Sequence, residues 1–127
     1  MKKPNLSKLE LQVMRPFWKS GELTVRDAAE FLAQEENDPG YSSVQTIVGR
    51  LENKGALLKT KKVGNAWLFK AVVERKRIVT RMVDELVALL DGASSPIISH
   101  LLESEKVSKE ELEEIRKLIE EKGSSHE

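Results

Sequence analysis

Residues 41–57, YSSVQTIVGRLENKGAL, decide the fold. Val44, Ile47, Val48 and Leu51 recur at three- and four-residue spacing, which is one buried stripe on a helix. The opposite face carries Ser42, Ser43, Thr46, Gly49, Arg50 and Asn53, without a single acid. Ser42-Ser43-Val44-Gln45 reads as a capping box at the start, and Lys54-Gly55 puts a cation and a permissive residue at the end. In a chain one-third charged, an acid-free outer face has two readings: undemanding surface, or a helix kept clear for a polyanion. Short hydroxyl and amide groups suit base edges and phosphates, which would repel carboxylates. Gly49 costs about 1 kcal/mol against Ala, a cost that makes sense if something approaches the backbone there. Arg50 is open to a phosphate contact, or to pairing with Glu52 or an acid of the preceding helix.

Outward from this helix the pattern stays helical towards the N-terminus. Ser7-Lys8-Leu9-Glu10 is a capping box, and Leu9, Val13, Met14, Phe17 and Trp18 form an apolar face up to Gly21. Pro16 inside that span predicts a kink or a broken hydrogen bond. Thr24 caps a second helix with Asp27, whose face of Val25, Ala28, Ala29 and Leu32 is narrow enough for close packing. Asp38-Pro39-Gly40 turns the chain. After Gly55 the period changes to two. Leu58, Thr60 and Lys62 alternate with Lys59 and Lys61, and Trp67 and Phe69 with Leu68 and Lys70, about a Gly64-Asn65 turn. Trp67 is expected in the core, and the lysines either blunt a strand edge or make a basic wing. Three helices followed by a basic hairpin is the order of a winged helix-turn-helix.

Residues 74–90 return to helical period, and "DGASSP" forms a joint in which Ser95-Pro96 opens a short helix through Leu102. Ser108-Lys109-Glu110-Glu111 caps a last helix. Its Glu110, Glu111, Glu113 and Glu114 are read as solvated surface matched to the helix dipole, not as a carboxylate site. The expected class is mainly α with a small β-hairpin wing: a winged-helix domain over 1–73, a helical dimerisation domain over 74–122, and a disordered tail over 123–127. Met82, Leu86, Leu89, Leu112, Ile115 and Ile119 are the apolar positions expected to meet a second copy, since so short a segment cannot bury its own stripes.

Charge supports this division. Residues 1–73 hold 12 Lys+Arg against 8 Asp+Glu, while 74–127 hold 9 against 13, a cationic front and an anionic back. With no cysteine there is no disulfide or thiolate site. No phosphate-cradling glycine loop, nucleophile triad or zinc-ligand spacing is present, so neither an enzyme, nor a cofactor, nor a metal is expected. The basic tip of "MKKPNLSKLELQ" has no apolar run behind it, and no stretch is long enough for a membrane span; a cytoplasmic protein without membrane insertion is expected.

The quoted stretch resembles the recognition helix of the penicillinase-repressor family (BlaI/MecI/CopY type), written Thr-Val-x-Thr-hydrophobic-hydrophobic-x-Arg-Leu-x-x-Lys-Gly. Val44, Thr46, Arg50, Leu51, Lys54 and Gly55 match it, with Ser43 replacing the first threonine. "LSKLELQVMRPFWKSGELTVRDAAEFL" and "LLESEKVSKEELEEIRKLIEEK" are similar to the family's first two helices and to its C-terminal end. The resemblance implies a homodimeric repressor on double-stranded operator DNA, controlled by a membrane sensor protease that leads to cleavage in the dimerisation domain. Ser42, Ser43, Thr46 and Arg50 would face the major groove, and Lys61, Lys62 and Asn65 the phosphates. The chain lacks the cysteine-rich tail of the copper-responsive branch. Ser99-His100-Leu101 stands where the β-lactam branch has its Asn-Phe scissile pair, and Gly64-Asn65 stands where many relatives have Gly-Arg. Two alternatives remain: a winged-helix adaptor for other proteins, and a ligand-gated DNA-binding regulator with an apolar pocket at its dimer interface.

Overall fold

Ser7 accepts from the Glu10 amide through its hydroxyl and donates its own N–H to the Glu10 carboxylate at 2.8 Å, so α1 (Lys8–Ser20) starts as its capping box requires. The computed structural model describes residues 5–125; Lys2 and Lys3 of the basic tip, like His126, lie outside them. α1 runs on through Pro16, which is buried in the core and lacks one helical N–H donor, and it ends where Gly21 adopts φ 83°. Thr24 and Asp27 close the start of α2 (Val25–Ala33) at 3.1 Å in both directions.

α3 (Tyr41–Asn53) begins earlier than its serines suggest. Asp38 Oδ1 accepts from the Gly40 amide at 2.9 Å, and Gly40, at φ 86°, is the N-cap. Ser42 and Ser43 therefore lie inside the first turn and cap nothing, which corrects the expected Ser-x-x-Gln box. The other end is as expected, with Gly55 at φ 80° and the Ala56 amide donating back to the Leu51 carbonyl at 2.8 Å. Val13, Met14, Phe17, Ala28, Leu32, Val44, Val48 and Leu51 from the three helices make the core, joined by Leu57 and Phe69.

β1 (Leu57–Val63) and β2 (Ala66–Ala71) pair antiparallel across Gly64-Asn65. Between Lys59↔Phe69 and Lys62↔Trp67 the first strand spends three steps against two, a β-bulge. Leu23, between α1 and α2, exchanges hydrogen bonds of 3.0 and 2.8 Å with Phe69 and so anchors the hairpin base to the helices. Phe69 is buried at the hairpin base, but Trp67, two residues nearer the turn, is 41% exposed, against the expectation that it joins the core.

The chain separates into two compact units, Met1–Met82 and Val83–Glu127. The first takes in the start of α4 (Arg75–Leu89), because Ile78 is buried and Trp18 Nε1 donates to the Val73 carbonyl at 2.9 Å. The change of period at 73/74 therefore falls inside this unit. The second unit holds the end of α4, α5 (Ser95–Glu103) and α6 (Lys109–Ser125). Ser94, one residue before the expected Ser95, is the N-cap of α5. Ser108 and Glu111 form the capping box of α6 at 3.1 Å, and this helix continues past Gly123 to Ser125, where a disordered tail was expected. None of the residues whose burial is described in this unit is buried.

Candidate nucleic-acid interface

One face of α3 buries Val44, Ile47, Val48 and Leu51, so the helix periodicity turns Ser42, Ser43, Gln45, Thr46 and Arg50 outward, and all five are exposed. α1, α2 and α6 begin with acid-containing capping boxes, but α3 has no side-chain cap and no acid in its first turn. Its first amides and the positive end of its dipole are left unneutralised, which favours an anion. Thr46 Oγ1 donates to the Ser42 carbonyl at 3.1 Å. Its hydroxyl proton is thus engaged, leaving lone pairs and a methyl group for a visitor. Arg50 pairs with neither Glu52 nor an acid of α2 among the described residues; Glu52 instead lies 4.0 Å from Lys59. A Cβ built on Gly49 meets nothing within 4 Å, so no internal packing demands glycine there.

Ser42, Ser43, Thr46 and Arg50 come together around a hollow of about 260 Å³, completed by Ile47 and by Leu9 of α1. Leu9 belongs to the apolar face of α1, yet it is 38% exposed while Val13 and Phe17 are buried. It is the second residue of α1, where the stripe overhangs the core beside α3.

The residue next to Leu9 fixes this arrangement. Glu10 is 3% exposed, and its Oε1 accepts from Lys54 Nζ, at the far end of α3, at 2.6 Å. Lys54 also donates to the Asn5 carbonyl at 3.0 Å. Burial pushes the Glu10 carboxyl up, but the Lys54 ammonium and the Ser7 amide and hydroxyl outweigh it and hold the group below the usual glutamate range. The pair clamps the beginning of α1 to the end of α3.

On the wing, Lys61, Lys62 and Asn65 are exposed, and neither lysine has an ion-pair partner among the described residues. Lys59 is engaged with the protein: it faces Glu52 and lies 5.3 Å from the centroid of the Trp67 ring.

Three packed helices, the third with an acid-free outer face, followed by a basic hairpin anchored at its base, define a winged helix-turn-helix protein. The sequence profile of the family described as Penicillinase repressor matches residues 6–121, and the chain belongs to that family, which is one of repressors and not of enzymes. It is 28% identical over 124 residues to a Penicillinase repressor from Bacillus licheniformis, covering 95% of this chain and 94% of that one. It is 27% identical over 117 residues to an uncharacterized 16.5 kDa protein from Latilactobacillus sakei, covering 91% of this chain and 79% of the relative. The solution structure of the DNA binding domain of the repressor BlaI superposes with a TM-score of 0.51 at 29% identity, covering 59% of this chain and 90% of that domain. Among the described residues no helix is long and apolar enough to cross a membrane.

Proposed function

We propose that this DNA-binding repressor acts as a cytoplasmic homodimer on a pseudo-palindromic operator, laying one α3 in the major groove of each half-site. The observation that carries the reading is the exposed, acid-free face of α3 with Ser42, Ser43, Thr46 and Arg50 around one hollow. Short donors and a guanidinium reach base edges there, while the uncapped helix start, Lys61, Lys62 and Asn65 take phosphates. Selection from random duplexes followed by gel shifts over a range of salt tests this. A defined sequence should be preferred over random DNA, with log affinity falling linearly in log salt. Equal affinity for every duplex would refute it, and no affinity for any duplex would favour an adaptor that binds protein.

Dimerisation is supported by the second unit's lack of a core. Its Leu89 and Ile119 are 80% and 66% exposed, Leu86 and Leu112 are also exposed and Ile115 is half-buried; Met82, the last residue of the first unit, is exposed too. An amphipathic stripe on each helix needs an apolar cover, and a second copy supplies the same stripe in an isologous interface. Each stripe side chain so covered contributes about 1 kcal/mol. Sedimentation of the full chain should give twice the 14.3 kDa chain mass. Repression ends, in this reading, when a protease controlled by a membrane sensor cuts the second unit. Residues 91–94 are exposed and non-helical, with Asp91 and Gly92 in a left-handed turn, and offer a protease a joint between helices, whereas Ser99, His100 and Leu101 lie within α5.

A further inference from the structure

We infer that Leu9 is a specificity-determining residue of this repressor: with Ile47 it forms the apolar wall of the hollow on α3, and that wall receives the 5-methyl group of a thymine. The inference rests on the reading that α3 enters the major groove. A lone half-exposed leucine is ordinary surface. Leu9 differs in its company, because five residues of α3 complete the hollow and four of them are polar side chains of the outer face. Its place is fixed, not incidental: the adjacent Glu10 is buried and held at 2.6 Å by Lys54 of α3, and by Ser7 from its own capping box.

The chemistry of the hollow selects among bases. In the major groove thymine presents an O4 acceptor beside its methyl group, and no other unmodified base carries that methyl. Leu9 and Ile47 supply an apolar surface, and Thr46, with its hydroxyl proton bonded to the Ser42 carbonyl, adds a methyl group. The Ser42 and Ser43 hydroxyls and the Arg50 guanidinium can donate to O4 or to an adjoining acceptor. Cytosine would set its N4 amino donor against Arg50, a donor itself, and would leave the apolar wall uncovered.

The test uses the full chain and the operator selected from random duplexes. Each thymine of one half-site is replaced in turn by deoxyuridine, which removes the methyl group and nothing else. At one position this should weaken wild-type binding about fourfold, the value of one buried methyl group. The same replacement should leave the affinity of Leu9→Ala unchanged, because the wall it removes is already absent. Leu9→Ala should lose more affinity for the selected operator than for random duplex, and Leu9→Met, which keeps the apolar reach, should restore most of the sensitivity to the methyl group. If Leu9→Ala does not fold, Leu9→Val carries the same comparison with a smaller loss of coupling. The inference is overturned if no thymine methyl matters to wild type, or if the replacement weakens wild type and the Leu9 variants equally. A wild type without any sequence preference would overturn the reading of α3 itself, and this inference with it.

Discussion

Lys54→Met should destabilise the fold by removing the one cation that pairs, among the described residues, with the buried Glu10 carboxylate, at 2.6 Å, while keeping an aliphatic side chain of similar length. Breaking a fully buried ion pair by deleting one partner costs about 3–5 kcal/mol. Lys54 is itself 39% exposed, so water screens part of its attraction, and Ser7 still donates to Glu10 in the variant. The expected loss is therefore about 2 kcal/mol at pH 7. Its pH dependence is the sharper test. In the wild type the Glu10 carboxyl is held below its ordinary value, so its stabilisation is present above the unfolded value of about 4.3 and is lost as pH falls through the folded value. In Lys54→Met burial is no longer offset by the ammonium, and the native state takes up the proton at higher pH than in wild type. The gap between the two proteins should be full at pH 7 and shrink from about pH 5 down to pH 3. Urea unfolding followed by Trp18 fluorescence measures it, since that indole is fixed by its bond to Val73. A gap under about 0.5 kcal/mol, the level of an ordinary surface change, or one that does not vary with pH, would refute the clamp.

Arg50→Ala should weaken operator binding by about 1–3 kcal/mol, read by gel shift, whereas Lys61→Ala and Lys62→Ala should weaken operator and random DNA alike and each flatten the salt slope by about one unit. A chain ending at Met82 should fold as a monomer that binds operator poorly, and ending it at Val73 instead should lower its stability by about 2 kcal/mol through loss of buried Ile78. Cutting an engineered protease site at Ala93–Ser94 should dissociate the dimer in sedimentation and release operator; a nicked protein that stays dimeric and bound would exclude cleavage there as the switch.

Local chemistry was legible in the sequence, and contacts made across distance were not. The boxes at Ser7, Thr24 and Ser108 formed as read, because both halves of each lie three residues apart. Ser42 to Gln45 spells the same box, but the Asp38-Pro39-Gly40 turn starts the helix before the serines can cap it. The exposed face of α3 followed from its period, and so did Ser42, Ser43, Thr46 and Arg50 on it. The clamp did not, since Glu10 and Lys54 are 44 residues apart and each already had a local explanation, as box and as C-terminal cation. Leu9 was hidden by its regular spacing, which cannot tell that a stripe outruns the core beneath it. Trp67 escaped in the same way: it alternates with Phe69 as a core residue would, but lies on the turn side of a bulge that nothing in "KTKKVGNAW" marks, where it is exposed.

That bulge divides the hairpin into two parts that can change separately. Below it, Leu57 and Phe69 belong to the core and Leu23 fixes their height, so the base tolerates little. Above it, the strands from Lys62 and Trp67 to the Gly64-Asn65 turn are exposed. Loss of one residue between Lys59 and Lys62 would restore a plain ladder and swing the tip lysines to new directions, with buried Leu57 and Phe69 untouched. Short insertions and deletions, more than point substitutions, are then the natural currency by which such a protein can re-aim its wing. A tip can be exchanged between relatives as a cassette, provided the cut is made on the turn side of the bulge.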